Sequence, residues 1–421
     1  MASDTEIRID AGNGGDSARQ MRIALYSHDA TGVGHVRRNM LIAQSLSLAP
    51  NRATSLVICG VHEATAFQGG HGVDCLTLPS FQKYGNDDYR PRNLMIGGDD
   101  VSAIRSEILG SCLSAMRPDL FIVDKVPNGI RGELTDVLPR LRQQGTRIVF
   151  GMRDILDDSR VIAEEWARNG YEKLIREQYD QVWVYGDPEV YDPVAEYGFS
   201  FGNQVRYCGY LDQRERLPFS QNGCGTRGCD DSKLRKTVLC MVGGGEDGVA
   251  LATSFVQSKL PAGRVGLLIT GPLMGEEHHR RIQEIAAART DMEVVRQVAD
   301  ADSLVSRVEK VICMGGYNSL LSVVSFEKEA LIVPRVHPRT EQLIRSELFQ
   351  QRGLVDVLLP DQLTASALTE WMARRPQKKA DRATVDLCGL KRIASFVQEL
   401  CRPQSASANG RTTSTLSGRT I

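Results

Sequence analysis

The sequence predicts an α/β protein of two doubly wound domains whose strand ends face a common cleft. Three observations carry this expectation. From Met21 onward, short runs rich in β-branched residues alternate with longer stretches of helical periodicity. Most of the short runs are apolar throughout rather than at every second residue, the pattern of parallel strands covered on both faces. The alternation also occurs twice, in blocks of similar size, around a Gly-, Cys- and charge-rich break at 213–236.

In chain order, residues 1–20 are polar, lack the apolar core of a secretory signal and read as disordered. The first domain, 21–212, offers the strands RIALY, TSLVIC, VDCLTL, DLFIVD, TRIVFG and QVWVYG. Residues 213–236 form the linker. The second domain, 237–402, offers TVLCMV, VGLLIT, MEVV, KVICM, ALIVP and LVDVL. The tail, 403–421, is Ser/Thr-rich and reads as disordered.

The 421 residues carry a formal net charge of −1, so no global field draws the chain to nucleic acid. No run has the roughly 18 to 20 apolar residues of a spanning helix. A cytoplasmic location is therefore expected, with peripheral contact at the inner membrane face allowed. The 10 cysteines are scattered through apolar runs, which suits reduced thiols. Cys224 and Cys229 lie close together but lack a second pair to complete a zinc site.

Parallel open sheets bind ligands beyond the carboxyl ends of their strands. There the first block carries His28, Asp29 and His35, then Asp124, then Arg153 and Asp154, then Asp187. In "YSHDATGVGHVRRN", Gly32 and Gly34 permit a tight turn that a ligand can approach closely. The following helix places Val36, Met40, Ala43 and Leu46 on one face, with Arg37 and Arg38 outside it. His35 at the helix start is expected to be neutral and basic, because the helix dipole disfavours its protonation. A neutral His facing a cleft suits general-base catalysis. The bland alternative is that His28 and His35 only brace the turn. Asp124 either serves His35 or the acceptor proton, or caps the next helix; Asp154 reads as a local partner or cap.

The second block opens on "VGGGEDGVAL", between a strand and a helix. Gly243, Gly244, Gly245 and Gly248 let peptide N–H groups converge on a phosphate. No Lys-Ser/Thr pair makes it a Walker A loop, and no acidic residue ends the next strand, so a nicotinamide dinucleotide is disfavoured. Further on, Gly315 and Gly316 lead into a helix beginning at Asn318 and Ser319, a second anion site in the same domain. In "RVHPRTEQ", Glu341 and Gln342 can grip neighbouring hydroxyls, as a sugar presents them; the alternative is a capped surface helix. "GEEHHRR" reads as a solvated face and "DAD", 300–302, as a helix cap, rather than metal sites.

Together these motifs resemble the GT-B glycosyltransferases of family 28, which contains the GlcNAc transferase of peptidoglycan lipid assembly, and most of all its bacterial "predicted glycosyltransferase" branch. The likeness spans roughly Met21 to Arg375. It implies two Rossmann-like domains, the first for the acceptor and the second for a nucleotide-sugar donor. It further implies His35 as catalytic base and a donor site at Gly243–Gly245, Gly248, Gly315, Gly316, Asn318 and Ser319. The uracil contact falls near Val298 and the sugar pair on Glu341 and Gln342. His28, Asp29, Gly32, Gly34 and Arg37 fall on the acceptor side. Ser322 departs from the family, which usually has a Glu there for the ribose; losing that charge-assisted contact costs about 1 to 3 kcal/mol.

The expected activity is inverting transfer of a sugar from a nucleotide diphosphate donor, UDP-linked, to an acceptor hydroxyl, with no metal and no resident cofactor. The nucleotide sugar is a co-substrate, and the acceptor is of lipid- or polysaccharide-linked kind, for cell-surface polysaccharide or glycolipid synthesis. Rival readings are a nucleotide-sugar hydrolase and a catalytically weak nucleotide-sugar-binding protein.

Overall fold

The computed structural model describes residues 19–30, 32–62, 70–84, 88–219, 234–298, 300–375 and 381–401. The expected disorder at both ends, and Cys224 and Cys229 in the linker, lie outside the described residues apart from Arg19 and Gln20.

The first half folds around β1 (Arg22–Tyr26), β2 (Thr54–Cys59), β3 (Val73–Thr77), a hairpin of β4 (Phe81–Tyr84) and β5 (Asp88–Pro91), then β6 (Leu120–Asp124), β7 (Arg147–Arg153), β8 (Gln181–Tyr185) and β9 (Val205–Tyr207). Apart from the antiparallel hairpin, these pair in parallel in the order β3-β2-β1-β6-β7-β8-β9. The second half contributes β10 (Thr237–Met241), β11 (Val265–Ile269), β12 (Met292–Val295), β13 (Lys310–Cys313), β14 (Glu329–Ile332) and β15 (Asp356–Val357), parallel in the order β12-β11-β10-β13-β14-β15. The twelve strands expected from sequence are all present. The hairpin and β9 were not legible: β9 is the three-residue "VRY", and "FQKY" and "DYRP" are polar.

The continuous apolar runs have a physical cause in the cores. Ile23 and Leu25 of β1 point into one buried cluster, while Ala24 and Tyr26 point into another. In β10, Leu239 and Met241 face one side and Val238 and Cys240 the other. Burying a Leu or Ile side chain contributes about 1.5–3 kcal/mol, so a polar residue on either face would forfeit that gain. One cluster runs through both halves, joining Val36 and Met40 to Tyr317 and Leu320. The last helix, Gly389–Cys401, also crosses back to the first sheet. Its Phe396 ring lies 6.0 Å from Trp183, and Arg392 donates to the Cys208 carbonyl at 2.8 Å.

Candidate active site

Strand order reverses between β1 and β6 in the first sheet and between β10 and β13 in the second, leaving a crevice at each point. His35, in the first turn of helix Gly34–Ser47, sits over the first crevice with Asp124 at the end of β6. His35 Nδ1 lies 2.9 Å from Asp124 Oδ2, and both residues are buried. Arg38, one turn on, donates to Asp124 Oδ1 and Oδ2 at 2.6 and 2.5 Å. Sequence periodicity put Arg38 outside the apolar face; the structure buries it to 1 % exposure, because Asp124 supplies a counter-charge. Arg38 Nη2 also lies 2.8 Å from His35 Nδ1. The tautomer whose Nδ1–H donates to Asp124 leaves the Nε2 lone pair free for a proton.

Burial lowers the His35 pKa to about 3, against the opposing pull of Asp124. Asp124 is held at about 2 despite its own burial, because Arg38 and His35 favour its charge. The imidazole is therefore neutral across the physiological range, chiefly through desolvation rather than the helix dipole.

His28 stacks 6.3 Å from His35 and accepts the Ala30 N–H at Nδ1, 3.2 Å away. That contact puts its proton on Nε2, which is buried without a partner. Asp29 is bound within the turn instead: Oδ1 accepts from Val36 N at 3.0 Å and Oδ2 from Ser27 Oγ at 2.6 Å. Burial raises its carboxyl to about 6. Its oxygens brace the turn and do not face the cleft.

In the second domain the glycines divide by what surrounds them. Gly243, with φ of 66°, and Gly316, N-cap of helix Tyr317–Ser325, have open space where a side chain would project. Gly245, Gly248 and Gly315 are packed: a methyl would meet the Thr270 carbonyl at 2.4 Å, the Val242 side chain at 2.3 Å and Ser346 Oγ at 2.6 Å respectively. Gly243 and Gly316 thus leave their backbone open to approach, while the other three are fixed by packing. Ser319 is partly exposed in the first turn of the second helix, and Val298 is half-buried beyond β12.

Glu341 opens helix Glu341–Gln351 and is 5 % exposed. One oxygen accepts from Arg335, while Oε2 is buried without a partner. Arg335 also reaches Asp247 at 2.8 Å, tying this helix start to the glycine turn after β10. Gln342 Oε1 accepts the Arg335 backbone N–H at 3.1 Å. Glu341 Oε2 is thus an acceptor with no partner, whereas Gln342 Oε1 already has one.

The two halves meet at these turns. A methyl on Gly244 would come 3.3 Å from Gly32 Cα, and Asn318 Nδ2 donates to the Gly34 carbonyl at 2.8 Å. Arg37 donates to Asp302 at 2.5 Å, joined by Arg216 at 3.1 Å; Ser322 Oγ also donates to Asp302. Arg37 thus spans the domain gap. Of the "DAD" stretch, Asp300 caps its helix by accepting from Ser303 N, whereas Asp302 is the buried anchor of this network. Asp154 accepts the adjacent Ile155 N–H at 2.7 Å, a local partner, and also pairs with Arg345 across the same gap at 2.7 Å, both at 0 % side-chain exposure. Arg339 likewise bridges Asp157 at 2.9 Å and Glu165 at 2.7 Å.

Sequence reasoning missed Arg38, Asp302 and Lys125. Lys125 directly follows Asp124, and its position past a strand end was the available signal. Among the described residues, no group of three His, Cys, Asp or Glu has a metal-holding arrangement, and no helix is long and apolar enough to cross a membrane.

No protein-family model matches the chain, and no curated protein matches it in sequence. Solved structures match in fold. The glycosyltransferase of kitacinnamycin is 13% identical with a TM-score of 0.55, covering 91% of this chain and 100% of its own. MurG of Acinetobacter baumannii is 10% identical with a TM-score of 0.50, covering 90% and 99%. A candidate UDP-N-acetylglucosamine 2-epimerase from Listeria monocytogenes is 10% identical with a TM-score of 0.58, covering 92% and 99%. These likenesses, over nearly whole chains, show that this protein has two Rossmann-like domains in the GT-B arrangement.

Proposed function

We propose that this protein transfers a sugar from a nucleotide diphosphate donor, UDP-linked, to an acceptor hydroxyl with inversion, serving cell-surface polysaccharide or glycolipid synthesis. The observation that carries the reading is the meeting of His35's turn with the Gly316–Ser319 helix start, through the Asn318–Gly34 hydrogen bond. His35 Nε2 takes the acceptor proton as its oxygen attacks the anomeric carbon. The bond to the β-phosphate breaks, and its electron pair leaves on the nucleoside diphosphate. A single displacement inverts the centre. Peptide N–H groups at Gly243 and Gly316 and the helix dipole meet the leaving charge, with no metal invoked. The free Glu341 Oε2 accepts a donor-sugar hydroxyl. Peripheral membrane contact has its best support in Leu94, Met95 and Ile96, three consecutive exposed apolar residues of the first half.

His35→Ala is expected to lower turnover by about 10²–10⁴-fold while UDP still binds. Near-normal transfer by this variant removes His35 as the base. Release of free sugar that no acceptor suppresses would instead support the hydrolase reading.

A further inference from the structure

One wall of the cleft carries positive charge that the chain itself leaves unbalanced. Lys125 follows Asp124 at the end of β6 with φ of 75°, and its backbone N–H donates to the Gly151 carbonyl at 3.1 Å. Arg153 ends the neighbouring strand, two residues beyond the Asp124–Gly151 pair. Both side chains are half-buried. Among the described residues neither forms an ion pair, and Arg153 Nε is buried without a hydrogen-bond partner. The three carboxylates that act on them already have charge partners, Glu341 in Arg335, Asp124 in Arg38 and Asp154 in Arg345.

A third donor stands beside them. His28 is 2 % exposed, and its protonated Nε2 has no partner. Lys125 is the charged group that acts most strongly on it. Leaving buried donors and like charges without a counter-ion is costly, and an entering anion relieves that cost. Burial, then Arg153 and Lys83, push the Lys125 ammonium down to about 7. Burial, against the pull of Glu341, brings Arg153 to about 10. Both shifts run in the direction expected of unneutralised neighbours.

We propose that His28, Lys125 and Arg153 form an anion subsite on the acceptor side of the cleft, and that the acceptor carries a phosphate or carboxylate close to its reacting hydroxyl. This rests on the transferase reading for the word acceptor, but not for the subsite itself. A neutral acceptor would leave the cluster unmatched.

The probe is inorganic phosphate, titrated by calorimetry into the full chain saturated with UDP, so that the donor turns are filled. Wild type is expected to bind it. Lys125→Met and Arg153→Met should each weaken binding by about tenfold, the loss of one charge-assisted hydrogen bond, with UDP affinity unchanged and the melting temperature equal or higher, because each removes a charge that lacks a counter-ion. Phosphate binding equal in wild type and both variants, or none in wild type at millimolar concentration, overturns the subsite. Should UDP itself fail to bind, the donor reading falls, and titration without UDP still tests the subsite through the same variants. A second arm locates the anion. Faster transfer to a sugar phosphate than to the same neutral sugar, with the gap closing in Lys125→Met through KM, supports the acceptor. A gap that closes instead between UDP-glucuronate and UDP-glucose assigns the charge to the donor and overturns the proposal. So does a loss confined to kcat, which makes Lys125 a proton acceptor.

Discussion

At the residue scale, the proposed chemistry turns on how His35 is kept neutral. Burial outweighs the attraction of Asp124, and Lys125 and then Arg38 add to the lowering. The imidazole pKa falls from 6.5 to about 3, so the unfolded chain binds a proton below pH 6.5 that the folded protein refuses. Folding stability therefore falls as pH drops from 6.5 toward 3. Thermal melts should show that decline, and His35→Gln should lessen it, with His28 adding a term of the same sign and Asp29 one of the opposite sign. The acid side of kcat/KM should likewise show no break near 6.5; a break there in wild type would mean that the imidazole is solvated.

At the element scale, glycines that look alike in sequence have separate tasks. Gly316 has φ of −64° and free space at its Cβ, so Gly316→Ala should melt like wild type. The added methyl would stand where the proposed diphosphate lies, so UDP affinity should fall by about tenfold. Gly245 has φ of 102° and a carbonyl 2.4 Å from the same position, so Gly245→Ala should yield little folded protein. Melting curves beside UDP calorimetry separate the two outcomes. A helix N-terminus alone is a generic anion site; here it faces the turn at Gly34, to which Asn318 ties it.

At the scale of the whole molecule, buried ion pairs clamp the two sheets together. Arg345 and Asp154 are both inaccessible, and Tyr210 donates to the same carboxylate at 3.0 Å. Removing one partner leaves the other charge buried and unpaired. Asp154→Ala should therefore cost about 3–5 kcal/mol. Differential scanning calorimetry should record the loss, and small-angle scattering a larger radius of gyration without UDP. An unchanged melting curve would mean that the pair contributes nothing net to closure.

The amino-acid order alone determined the two parallel sheets, since runs apolar on both faces can be satisfied only by cover on both sides. It also marked the turns at the strand ends, His35's and Asn318's, which the structure brings together. It could not show that Arg37, read as an acceptor-side residue, would cross to Asp302, or that Asp154 would find Arg345, 191 residues away. Nor could it distinguish a brace such as Asp29 from an unmatched donor such as His28 Nε2. Those outcomes depend on which charges are buried opposite one another. Long-range burial is set by the packing of the two halves, and local periodicity carries no record of it.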